Sequence, residues 1–163
     1  MSPVLKAFAA VVVAAVLPVA ASAQGVISER NVSMQLAREI ANAAMECSKN
    51  GVGISAAVVD RAGEVRVLLR GDGAPPHGAE LARRKAYTAR TFRRSSLDWA
   101  KRSETALIGQ RSLREVIPLG GGVPIQVGDE TIGAVGVSGT SGGQEGDDNC
   151  AKAAIAKVAD QLK

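Results

Sequence analysis

The chain has 163 residues, with 20 Lys+Arg against 16 Asp+Glu, one His and two Cys. At 46% hydrophobic and 22% charged residues it is globular in composition rather than disordered. One His excludes a site built from clustered histidines in one subunit, and two Cys cannot form a cysteine-rich zinc module. Aromatic residues supply only 2%, which leaves little for stacking nucleic-acid bases.

The chain opens like a secretory signal peptide. Lys6 supplies a short positive region, Ala7 to Val16 is uncharged and apolar, and Ala21, Ser22 and Ala23 form a small-residue cleavage site. Residues 1–23 are therefore expected to be removed, leaving 24–163 as one exported, periplasmic or secreted domain. An uncleaved anchor is disfavoured because the apolar run is short for a span of about 20 residues. Export gives Cys47 and Cys150, 103 positions apart, the context for a disulfide joining the first remaining helix to the last. Two separate buried thiols are the alternative.

Ser28 is placed to cap a helix from about Glu29 to Lys49, with Gly51 ending it. Leu36, Ile40, Ala44 and Cys47 recur with helical spacing and mark its buried stripe. Ile54 to Asp60 reads as a strand apolar on both faces, and Glu64 to Arg70 alternates. The turn containing Gly63 makes the two a β-hairpin. Residues 71–78, with three Gly and two Pro, form a loop that carries His77.

A helix is expected from Ala79 to about Arg93, with Leu81, Ala82, Ala86, Ala89 and Phe92 inward. Ser96 then caps a shorter helix. Residues 83–102 hold eight basic side chains against Asp98 alone. Such a run makes either a solvated face or a wall attracting an anionic ligand or an acidic partner. From Gly120 to Gly146 there are ten glycines, interrupted by strands at Pro124–Val127 and Thr131–Ser138. Gly133, Gly136 and Gly139 lack the spacing of a nucleotide loop and suggest close backbone approach by a neighbouring subunit or a flat ligand. Asp147 or Asp148 reads as the cap of the last helix, whose inward stripe is Ala151, Ile155, Val158 and Leu162. These elements make an α+β domain with a mostly antiparallel sheet.

Chemistry-bearing residues are few. His77 is the one imidazole, suited to ligating iron or exchanging a proton near neutrality. Ser138 and Ser141 have no second His with which to build a nucleophilic site. On residues alone, a binding module fits better than an enzyme.

Several segments together resemble the haem-binding GlcG/HbpS family: Val58–Gly63 (VVDRAG), Arg70–Ala74 (RGDGA), Arg84–Ala89 (RKAYTA) with Phe92, Gly121–Ile125 (GGVPI) and Ile132–Gly139 (IGAVGVSG). The likeness runs over about residues 28–162. It implies a profilin-like fold, with a five-stranded antiparallel sheet flanked by helices, and assembly as a homo-oligomer. It also implies haem or iron binding in some members, serving haem storage, protection or sensing. His77 takes the place of a loop histidine of exported relatives and becomes the expected metal and haem ligand. Arg70, Arg84 and Lys85 are expected propionate partners. Asp72, Thr88, Gly121 and Gly122 are further matched positions around the cofactor. A second axial ligand would come from Met, Tyr87, solvent or another subunit.

Two rival functions remain on this reading. One is an accessory factor or enzyme acting on a small anionic metabolite held by Arg70, Asp72 and Lys85. The other is a module docking on an envelope sensor protein through Arg90, Arg93 and Arg94. Nucleic acid is not an expected partner, and no membrane span is expected after cleavage.

Overall fold

A computed structural model describes residues 25–48 and 53–163. The expected signal peptide, Lys49 and the capping Gly51 lie outside these residues.

The described chain runs α1 (Met34–Met45), β1 (Ser55–Asp60), β2 (Val65–Arg70), α2 (Gly78–Phe92), α3 (Ser96–Arg102), β3 (Gly122–Val127), β4 (Glu130–Ser138) and α4 (Gly143–Ala156), with a 3-10 turn at Ile108–Ser112 and another at Ala159–Gln161. The strands form one antiparallel sheet in the order β2-β1-β4-β3. The sheet therefore has four strands, not the five implied by family likeness. Ahead of α1, a single backbone bond from Val32 N to Ile132 O stands where a fifth strand would need a ladder.

α1 begins later than its spacing predicts. Ser33, not Ser28, is the cap, and its hydroxyl accepts from Leu36 N. Just before it, Asn31 Oδ1 accepts from Arg61 N in the β1–β2 turn, which ties this segment to the sheet ahead of the helix. That turn is the expected one, with Gly63 at φ +87°, where a side chain would be strained.

The two faces of the sheet are packed differently. On one, Ile40 and Ala44 of α1, Ala151 of α4 and Val158 just beyond it are buried against Ala56, Val58, Ile125, Val135 and Val137. On the other, Ala86 and Ala89 of α2 meet Val59 and Ala134. Small residues let α2 lie almost on the strands: a Cβ on Gly136 would stand 2.0 Å from Ala82 O, and one on Gly122 2.0 Å from Lys85 O. These glycines serve approach by a helix of the same chain. That corrects the expected role for Gly136, because helix backbone already fills the space on that side.

Cys47 and Cys150 form a disulfide, which ties the end of α1 to α4. The chain-entropy treatment assigns a closed loop of this length about 4–5 kcal/mol of stabilisation.

Candidate functional site

α2 organises the expected site, and its faces place the expected residues in two groups. Lys85 and Thr88 point inward. Lys85 is 3% exposed; its Nζ donates to Asp147 Oδ2 at 2.7 Å and to Val137 O at 3.1 Å. Thr88 Oγ1 donates to Arg84 O at 2.8 Å and accepts from Ile117 N at 3.0 Å. Gly121 and Gly122 belong to the same assembly. A Cβ on Gly121 would come within 2.7 Å of Asp147 Cβ and 3.2 Å of Lys85 Cδ, while Gly122 N donates to Ser96 Oγ at 2.7 Å. These four residues thus clamp α2 to the β3–β4 end of the sheet and to α4.

Asp147 completes the clamp, and its sequence reading is corrected here. The N-cap of α4 is Gly142, so Asp147 and Asp148 lie within the helix, 4% and 1% exposed. Thr140 N donates to Asp147 Oδ1, and Asp148 pairs with Lys152 while receiving the Ser95 hydroxyl proton. The signal was present in the spacing, since Asp147 lies four and eleven positions before Ala151 and Val158 on the expected inward stripe. A carboxylate there requires a buried cation, and Lys85 is that cation.

The second group lies on the surface. His77 is exposed at the entry to α2; its backbone carbonyl accepts from Leu81 N, and its imidazole caps nothing. Asp72 is exposed on the preceding loop. Arg70 braces that loop by donating through Nε and Nη2 to Ala74 O at 3.2 and 2.5 Å. Behind the loop, Gly53 packs so closely that a Cβ there would lie 2.1 Å from Ala74 N. Arg84 leaves the loop for another partner, its Nη2 donating to Val116 O at 2.6 Å. Arg83 binds Glu80 and Glu115, and its hydrogen bond holds the Glu80 carboxyl below the ordinary carboxylate range. Tyr87 packs toward the Gly63 turn, about 15 Å along the helix from His77, so the two cannot flank one iron within a subunit.

Among the described residues, the imidazole at the α2 entry has no hydrogen-bond partner, and the enclosed Ser55 hydroxyl, 3.0 Å from where a Gly78 Cβ would sit, has none either. One nitrogen donor suits single-sided ligation of haem iron, and the guanidinium of Arg70 supplies nearby positive charge. Among the described residues no cluster of three His, Cys, Asp or Glu is placed to hold a bare metal ion.

Two clefts lie elsewhere. One of about 360 Å³ runs between α3 and the start of α4, lined by Leu97, Lys101, Glu104 and Gln144 among others. The other, about 320 Å³, is lined by Cys47, Cys150, Thr140 and Asn149 among others. His77 lines neither. No helix among the described residues is long and apolar enough to cross a membrane.

Fold and site together define a layered α+β scaffold with one exposed imidazole. Residues 32–156 match the family model described as haem degrading protein HbpS-like, and the chain belongs to this HbpS-like family. Protein GlcG of Escherichia coli K12 is 36% identical over 107 residues, covering 65% of this chain and 80% of that protein. The crystal structure of a Streptomyces reticuli HbpS double mutant shares 33% identity at a TM-score of 0.79, covering 88% of this chain and 98% of the other. A PduOC:heme complex shares 30% identity at a TM-score of 0.68, covering 77% and 94%.

Proposed function

We propose that this protein binds haem at the outer edge of α2, with the His77 imidazole as the single protein ligand to iron from each chain. The observation that carries this reading is an exposed imidazole, without a partner among the described residues, at the head of a helix in an HbpS-like chain. The solved haem complex of a relative supports the same ligand class. Bound haem would supply a redox-active iron. The chain's own contribution is an imidazole nitrogen, a loop held in shape by Arg70 and Gly53, and positive charge for carboxylates through the part of the Arg70 guanidinium not engaged by Ala74. Lys85 contributes indirectly, by fixing α2 against the sheet, and Arg84 by tying α2 to the segment around Val116.

An open edge shields only one side of a flat ligand, which favours a homo-oligomer in which a second copy covers the other. β2 is an edge strand of the sheet and exposes Val65 and Leu68, apolar surface that such a copy would cover. The disulfide suits an oxidising compartment and supports export to the periplasm or beyond.

Hemin titration tests the reading. The purified protein is expected to develop a shifted Soret band with saturable stoichiometry, and His77→Ala to lose that shift. Iron-free protoporphyrin should give no such difference between the two proteins. Equal hemin spectra for wild type and His77→Ala would overturn it. Thermal stabilisation by small carboxylates but not by hemin would move the site to the rival class, an anionic metabolite.

A further inference from the structure

The chain between α3 and β3, residues 103–121, is the longest connection among the described elements, and long connections inside a compact domain are commonly functional. Its first part makes a run of tight turns. Leu107 N donates to Arg102 O, Gln110 N to Leu107 O, Leu113 N to Gln110 O and Val116 N to Leu113 O. Side chains pin these turns to α3. The buried Trp99 donates through Nε1 to Gln110 Oε1 at 3.1 Å. Arg111 donates through Nε to Ser103 Oγ at 3.0 Å and through Nη2 to Ala100 O at 3.3 Å.

These contacts invert the usual arrangement of a loop. Polar groups of Ser103, Gln110 and Arg111 turn toward the domain, whereas Ile108 is 63% exposed and Leu113 50%. Neither aliphatic side chain lines either cleft. Thr105, Ala106, Gly109 and Ser112 around them are exposed as well, so the pair stands on a convex tip.

The same turns gather positive charge. Within residues 101–114, Lys101, Arg102, Arg111 and Arg114 stand against Glu104 alone. Lys101 and Arg102 are exposed, and neither side chain has a partner among the described residues. Arg114 is almost fully exposed and reaches only Glu115, which Arg83 also holds. A helix C-terminus favours cations, which accounts for Lys101 and Arg102 but not for two aliphatic side chains held in water beside them.

Convexity decides the kind of partner. A small ligand or a folded protein takes apolar groups into a shaped site, and this tip encloses nothing. A bilayer surface makes its own room: headgroups part around the aliphatic side chains, and cations rest among the phosphates. We infer that the turns of residues 101–114 form a peripheral membrane contact. Ile108 and Leu113 enter the interface of an anionic bilayer, and Lys101, Arg102 and Arg114 meet its phosphates. None of these residues belongs to the His77 site, so the contact is independent of haem.

Sedimentation with phosphatidylcholine vesicles, with and without phosphatidylglycerol, tests this. The protein is expected to pellet with the anionic vesicles in preference to the neutral ones, and less as salt is raised. Joint replacement of Ile108→Ser and Leu113→Ser should lower vesicle affinity about tenfold or more. Lys101→Gln with Arg102→Gln should lower it about tenfold. Val26→Ser, which removes an exposed apolar side chain elsewhere, should bind as wild type. All these positions are exposed, so the variants should melt with the wild type, and weaker binding cannot be laid to unfolding. Equal vesicle affinity in the wild type and the Ile108/Leu113 variant overturns the inference, as does equal binding to neutral and anionic vesicles. Light scattering without lipid covers the remaining outcome. A smaller particle for the Ile108/Leu113 variant than for wild type would make the tip a contact between copies and overturn the membrane reading.

Discussion

Two parts of α2 carry charge in opposite ways. Along the inner face, Lys85 is enclosed and both of its protein partners are in place, and Thr88 both donates and accepts. At the helix entry, His77 stands exposed with no partner among the described residues, above a Ser55 hydroxyl that also has none among them. A buried cation must be answered from within the chain, because leaving it unpaired costs several kcal/mol. An exposed imidazole is under no such demand, because water can satisfy it.

Substitutions on the two parts should separate sharply. The largest effect is expected for Lys85→Met, which strands the Asp147 carboxylate and should cost about 3–5 kcal/mol in urea unfolding. Adding Asp147→Leu should recover much of that loss, short of wild type because Thr140 N also loses its acceptor. If Lys85→Met were as stable as wild type yet failed to bind hemin, the inner face would be a ligand site and the comparison would break.

Gly136→Ala comes next. Its Cβ would enter the backbone of α2, at Ala82 O and Ala86 N, and the resulting shift should cost about 1–3 kcal/mol or somewhat more. The same melts should show hemin affinity falling with stability, since the helix that carries His77 is displaced as a body. His77→Ala should be the mildest, changing unfolding free energy by no more than about 0.5 kcal/mol while removing the Soret shift. A large loss of stability in His77→Ala would mean that the entry is structural after all.

Much of the fold is legible in the residues. The alternation of β2, the doubly apolar β1, the Gly63 turn and the loop before α2 follow from periodicity and from the few residues able to take the required dihedrals. The start of α1 is not legible, because Asn31 is tied to Arg61, thirty positions away, ahead of the helix. Strand number is missed for a similar reason: pairing needs a partner edge, and local sequence does not report whether one is free. At the site, family likeness selects Lys85, Gly121, Gly122 and His77 alike. Burial then sorts them, placing the first three in a clamp and the last on the surface.

Local chemistry was enough to specify an α+β chain with one imidazole in a Pro/Gly loop, a basic helix behind it and two cysteines able to bridge, since each follows from residue type and spacing. Which charges are spent inside and which remain available depended on long-range packing. Asp147 meets Lys85 across 62 positions, and Glu130 meets Arg61 across 69. Such pairings are set when helices and sheet close on one another, and no window of neighbouring residues contains both partners.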